Sequence, residues 1–286
     1  MLTIIFALIS FVGWAISDLY TTILARKMGA YSGTFWSIVI SLVILTPYAF
    51  FQLADLRKIT LEIFILNIVL GIIFTISGLT FLKALKIGNA SLVSTIGSSF
   101  CALVVLLSMI FLGDRVSETQ GISIIIIFLG LILSSFDLKE LKKGKILNKG
   151  IILAIITMLI WGIYYTFIKI PISQIGWFWP NYIFLISSPL VLLIFGSRKL
   201  KIERPNINGA FIPLFLASII ALAAELSFNF AISKNLTAIV APIAGSYPAL
   251  FVVLAFFFFK DPITKQQILG IVTTLIGIVL LSILSV

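Results

Sequence analysis

The chain contains no histidine, which excludes HExxH metal sites and His-based catalytic triads. Cysteine is nearly absent too. Cys101 stands alone inside an apolar run, leaving neither a disulfide framework nor a Cys-based metal site. No GxxxxGK followed by Ser or Thr occurs, which argues against a nucleotide hydrolase driving a pump from within this chain. Charge is scarce: charged residues make up 10% of the 286 positions against 61% hydrophobic ones. With a mean hydropathy of +1.24, this is a profile that no water-facing surface tolerates. The expectation is an all-α integral membrane protein that is not an enzyme and holds neither cofactor nor metal.

What charge there is leans basic, with 20 Lys plus Arg against 10 Asp plus Glu. The basic residues sit in short loops between apolar runs, so they read as membrane anchors and not as a nucleic-acid surface. The N-terminal apolar run from Leu2 to Ile23 has no basic region before it, is too long for a signal-peptide core and shows no clear cleavage site. It reads as the first span.

Runs close to the roughly 20 residues that cross a bilayer place spans at 2–24, 34–53, 61–81, 90–112 and 119–136. Five more follow at 150–170, 178–195, 210–230, 237–259 and 266–285. A shift of 147 residues superimposes the two sets without a gap: Trp14 falls on Trp161, Gly29 on Gly176, Ala84 on Ala231, Asp114 on Asp261, Gln120 on Gln267 and Gly130 on Gly277. Chance apolar matching would not keep charged and Gly positions in register. Each copy holds five spans, an odd number, so the second enters the membrane from the opposite face. The expected fold is ten transmembrane helices as two inverted five-helix repeats, 1–136 and 150–286, joined by a Lys-rich linker at 137–149. That linker reads as a solvated orientation anchor or an anionic-lipid patch.

Each copy closes on a similar stretch, GDRVSETQGISIIIIFLG (Gly113 to Gly130) and KDPITKQQILGIVTTLIG (Lys260 to Gly277). Together with Trp14 and Trp161 in the first span of each copy, these stretches resemble the EamA family of the drug/metabolite transporter superfamily over nearly the whole chain. Two departures stand out. Asp114 and Asp261 occupy positions where the family usually has Glu, and Thr95 stands opposite Pro242 where Pro is frequent. The resemblance implies a ten-helix carrier of metabolites, amino acids or drug-like compounds, with both termini in the cytoplasm. The loop charges point the other way: termini outside would put 15 of the 20 basic residues in cytoplasmic loops. Sidedness in the cell membrane therefore stays open at the level of sequence.

Polar groups inside spans mark where function is to be sought, since an Asp at a span's centre costs roughly 2.5–3.5 kcal/mol on insertion scales. Glu225 lies in the eighth span between Ser218 and Asn229, at the position equivalent to Gly78. Asp18 lies on a stripe of Ser10, Gly13, Trp14, Ser17, Asp18 and Thr21, a spacing that puts all six on one helix face. Either acid is a candidate to take up a proton or to bind a cationic part of a substrate; the bland alternative is an interhelical hydrogen bond. Pro242 and Pro248 flank Gly245, Ser246 and Tyr247 in the ninth span, and Ser98 and Ser99 stand at corresponding depth in the fourth. Interrupted spans at matching positions point to a central site, although tight packing also selects Gly and Ser. Trp161, Tyr164 and Tyr165 share one face of the sixth span with Thr157, and with Trp14 and Trp36 they are candidates for a stacking wall. Trp177 and Trp179 read as an interfacial belt, and Gly270 and Gly277 as a packing or dimer face. The expected partners are the lipid bilayer, a small-molecule substrate and a coupling proton or cation, for a monomer or homodimer. A channel-like or structural membrane protein is the alternative to a carrier.

Overall fold

The computed structural model describes residues 1–135, 149–196, 201–260 and 263–285. The linker from Asp137 to Asn148, and Asp261, lie outside them. Among the described residues all regular structure is helical: α1 (Leu2–Lys27), α2 (Ala30–Ala49), α3 (Leu61–Ile87), α4 (Ala90–Ser98), α5 (Phe100–Leu107), α6 (Glu118–Ser135), α7 (Lys149–Phe167), α8 (Lys169–Ile175), α9 (Trp179–Gly196), α10 (Phe211–Lys234), α11 (Thr237–Gly245), α12 (Pro248–Phe259) and α13 (Lys265–Ile283). A 3-10 turn extends α2 over Phe50–Lys58, and a π turn extends α5 over Ser108–Leu112. Eight helical segments are long and apolar enough to cross a membrane. Two further apolar helices, over Glu118–Ser134 and Trp179–Ile194, are shorter.

Two spans break near their middles, each for a local reason. Between α4 and α5 the Ser98 and Ser99 hydroxyls both donate to the Thr95 carbonyl, at 3.0 and 2.9 Å, competing with the helix ladder. Between α11 and α12, Pro248 has no N–H to give, the Tyr247 N–H turns instead to the Ala244 carbonyl at 3.3 Å, and the Ser246 hydroxyl caps the Pro242 carbonyl.

The stripe on α1 packs against α10. The Ser10 hydroxyl donates to the Ala224 carbonyl at 2.9 Å and the Ser17 hydroxyl to the Ala217 carbonyl at 3.3 Å, so the two helices run antiparallel. Between these bonds a Cβ on Gly13 would stand 2.7 Å from the Ala224 Cβ, so only glycine permits this approach. In the same way α3 packs antiparallel on α7, with the Thr80 and Thr157 hydroxyls 2.8 Å apart. Exchanging the copies turns the first pair into the second. It also maps the contacts of α1 with α11 and α12 onto those of α7 with α4 and α5, while α6 pairs with α13.

Direction follows from the ends of α10. The Lys27 amine, at the end of α1, donates to the Gly209 carbonyl just before α10 at 3.1 Å. The Lys169 amine, just past α7, caps the Ile232 and Asn235 carbonyls at the far end of α10. The repeat-equivalent helices α1 and α7 thus run in opposite directions.

The closing stretches of each copy are helix starts. Ser117 and Gln120, and Thr264 and Gln267, form reciprocal side chain to backbone bonds ahead of α6 and α13, each a capping box that satisfies otherwise orphaned N–H groups. Asp114 caps a different helix: its Oδ2 accepts the Ala238 N–H at the start of α11, at 2.9 Å. Gly270 and Gly277 pack on α6, where a Cβ on Gly270 would lie 2.7 Å from the Gly130 carbonyl oxygen. Their face is occupied within the chain.

Candidate functional site

A cavity of about 210 Å³ lies at the centre of the bundle, far above the ~10–15 Å³ that admits one water. Eighteen of its 25 lining residues fall into nine pairs related by the 147-residue shift. They are Trp14 and Trp161, Asp18 and Tyr165, Thr34 and Asn181, Ser37 and Phe184, Ile38 and Leu185, Phe74 and Ala221, Thr75 and Leu222, Gly78 and Glu225, and Phe100 and Tyr247. The cavity therefore sits astride the relation between the copies. The seven unpaired lining residues are Ser17, Thr21, Ser41, Phe81, Leu82, Ala217 and Ser218. Six of these lie toward the C-terminal ends of α1 and α3 or the N-terminal end of α10, and these ends share one face of the molecule. Their equivalents Tyr164, Ile168, Phe228, Asn229, Leu70 and Gly71 are buried and do not line the cavity. The cavity thus extends toward the face where α1 ends and is packed shut toward the other.

Each acid is held by hydroxyls. Asp18, 7% exposed, accepts from the Ser94 hydroxyl through Oδ2 at 2.6 Å, and the Tyr247 hydroxyl lies beside this pair. Glu225, 8% exposed, accepts from the Tyr165 hydroxyl through Oε2 at 2.9 Å, with the Trp14 indole alongside. The copies build these two sites crosswise, because Tyr165 is the equivalent of Asp18 and Tyr247 that of Phe100. Among the described residues no Lys or Arg lines the cavity.

Aromatic rings form the wall. Trp14 lies 5.5 Å from Tyr165 and 5.9 Å from Tyr247 between centroids, Phe100 stacks on Tyr165 at 4.7 Å, and Trp161 meets Phe100 edge-on at 5.7 Å. Offset and edge-on pairs of this kind hold rings in fixed orientation.

Of the side chains singled out in the sequence, the structure brings Asp18, Glu225, Trp14, Trp161, Tyr165 and Tyr247 to the cavity. Ser17 and Thr21 of the α1 stripe, with Gly78 and Ser218, line it too, while the remaining candidates lie elsewhere. Tyr164 is buried beneath the wall, stacked on Phe74 at 4.1 Å, and its hydroxyl has no partner. Asn229 is buried with both amide atoms unpartnered, off the cavity. Ser98, Ser99 and Ser246 spend their hydroxyls on carbonyls one turn back in their own helices. Trp36 donates to the Glu203 carbonyl at 2.8 Å and also does not line the cavity. Trp179 is buried against the protein, donating to the Gln52 carbonyl at 3.0 Å, and so does not belong to an interfacial belt. Sequence reasoning missed Thr34, Asn181, Phe100 and Ser94. The repeat register was the signal for Phe100, since its equivalent Tyr247 had been singled out. Ser94 carried no signal, because its equivalent is Ala241.

A bundle of apolar helices around an aromatic cavity with two buried acids defines a multi-pass membrane protein with an internal chamber. The chain belongs to the EamA-like transporter family, whose model matches residues 1–136 and again 148–283. It is thus a membrane transporter of the drug/metabolite type. It is also similar to an uncharacterized protein, MJ1333.1, of Methanocaldococcus jannaschii, at 29% identity over 142 residues. That match takes in 48% of this chain but 98% of the relative, which is therefore about as long as one repeat. A crystal structure of another protein superimposes with a TM-score of 0.71 at 13% identity, covering 99% of this chain and 98% of that one, a likeness of fold.

Proposed function

We propose that the protein is a secondary carrier that moves a small organic metabolite by alternating access, its ten spans forming two inverted repeats, 1–136 and 150–286, about the central cavity. The observation that carries this reading is the one-sided cavity built from repeat-related residues. In a two-fold arrangement, a state in which the copies exchange conformations is the geometric counterpart of this one, and in it the pocket extends toward the other face. The set Ile168, Phe228, Asn229 and Leu70 then takes the place now held by Thr21, Phe81, Leu82 and Ala217. The same set argues against a channel, since it closes the far end with tightly packed side chains. Asp18 and Glu225 supply the sites for substrate and for a coupling proton or cation, because a carboxyl group buried inside a membrane bundle calls for a proton or a positive partner.

The test is flux in proteoliposomes. A carrier gives saturable uptake that rises with a gradient of its coupling ion or with substrate preloaded inside, and Glu225→Gln lowers it. Flux that stays linear in concentration, or full activity of Glu225→Gln with unchanged dependence on pH, would remove the assignment or that residue's role in it.

A further inference from the structure

Four buried polar atoms on cavity-lining side chains have no hydrogen-bond partner: Glu225 Oε1, Trp161 Nε1, Asn181 Nδ2 and Thr34 Oγ1. Native structures rarely leave such atoms unpaired; Asn67, Tyr164, Asn229 and Thr237 carry others away from the cavity, but only these four belong to side chains that a ligand in the cavity could reach. As a complement, the set asks for one positive N–H group opposite Glu225 and neutral acceptors opposite the indole and amide donors. The charge requirement is the sharper one. Among the described residues the cavity carries two acids and no Lys or Arg, and their one ion pair, Lys58 with Asp55, lies at the exposed end of the 3-10 turn. The rings of Trp14, Tyr165 and Phe100 line the same cavity as Glu225, and aromatic rings attract cations.

Resting on the reading of this cavity as a carrier's substrate site, we propose that the substrate is a small protonated amine of net charge +1, about the size of an arylalkylamine. Its ammonium group donates to Glu225 Oε1. Its apolar body packs on the ring wall, and a hydroxyl or carbonyl oxygen accepts from Trp161 or Asn181. A zwitterion or an organic anion would bring a carboxylate into a chamber whose ionisable groups, among the described residues, include no Lys or Arg to pair it and only neutral donors to receive it. Those classes are rejected by unrecovered desolvation.

Three compounds that share one ring separate the classes: tyramine (cation), N-acetyltyramine (neutral) and tyrosine (zwitterion). Equilibrium binding of each radiolabelled compound to the purified full chain in nanodiscs at neutral pH is expected to favour tyramine by at least about thirtyfold. Glu225→Gln, close to isosteric, is expected to remove that preference. Tyrosine or N-acetyltyramine binding as tightly as tyramine, or no binding of any of the three, overturns the proposal, and neither outcome depends on how a variant folds. Flux of the same compounds in proteoliposomes distinguishes the two claims. Tyramine binding without saturable flux discards carriage and keeps the substrate class, whereas tyrosine flux without tyramine flux keeps carriage and discards the class.

Discussion

Two adjacent tyrosines differ in what their hydroxyls do, and removing one oxygen from each tests the site's geometry. The Tyr165 hydroxyl donates to Glu225 Oε2 at 2.9 Å, while the Tyr164 hydroxyl is buried with no partner, its ring stacked on Phe74. In water-soluble proteins a hydrogen bond to a charged group contributes about 1.5–3 kcal/mol. Inside membranes, where the unfolded reference also finds partners, measured values average about 0.6 and reach about 1.7 kcal/mol. Tyr165→Phe is therefore expected to destabilise the protein by about 0.6–1.7 kcal/mol. It also frees the Glu225 carboxylate to rotate, which should raise the substrate KM about threefold to tenfold. Tyr164→Phe keeps the stacked ring and deletes an unsatisfied oxygen, so it is expected to be neutral or stabilising by up to about 1 kcal/mol. Thermal unfolding of both variants in one detergent, with the double-mutant cycle of Tyr165→Phe and Glu225→Gln, reads these effects. Equal destabilisation by the two variants, or a cycle with no coupling, would refute the reasoning.

Gly270→Leu is expected to destabilise by at least about 1–3 kcal/mol, since the α6–α13 contact has no room for a side chain. Gly121→Ala, where a Cβ meets nothing within 4 Å, should be neutral or slightly stabilising in the same unfolding assay. Asp114→Ala removes the cap on the Ala238 N–H and should cost about 0.5–2 kcal/mol while leaving ligand affinity unchanged, because Asp114 does not line the cavity. Cys101, fully buried beside Gly245, should resist maleimide in the folded protein and react only on unfolding.

The fold was legible wherever the determining physics is local or repeated. Apolar run length located the eight long membrane segments, and the 147-residue register aligned Trp14 with Trp161 and Glu225 with Gly78. Polarity at depth was a sound guide where a helix must hide a charge, as for Asp18 and Glu225. It misled for Ser98, Ser99 and Ser246, because a hydroxyl in lipid can satisfy itself on its own helix, and one-dimensional spacing does not show which choice it makes. Asn181 and Thr34 escaped notice because their significance lies in lining one cavity with Trp161 and Glu225, which stand on other helices. The capping boxes at Ser117 and Thr264 belong to the stretches that carried the family resemblance, and their role there is to start helices.

The central claim is that one chamber opens to the two faces in turn. Single cysteines at Thr21 and Ile168, repeat-equivalent positions at its present open and closed ends, test it in a Cys101→Ala background. With a membrane-impermeant maleimide applied to one face at a time, the account predicts that Thr21→Cys reacts only from the face where α1 ends and Ile168→Cys only from the opposite face. Conditions that raise one rate should lower the other. Labelling of both positions from the same face, or rates that rise and fall together, would contradict it.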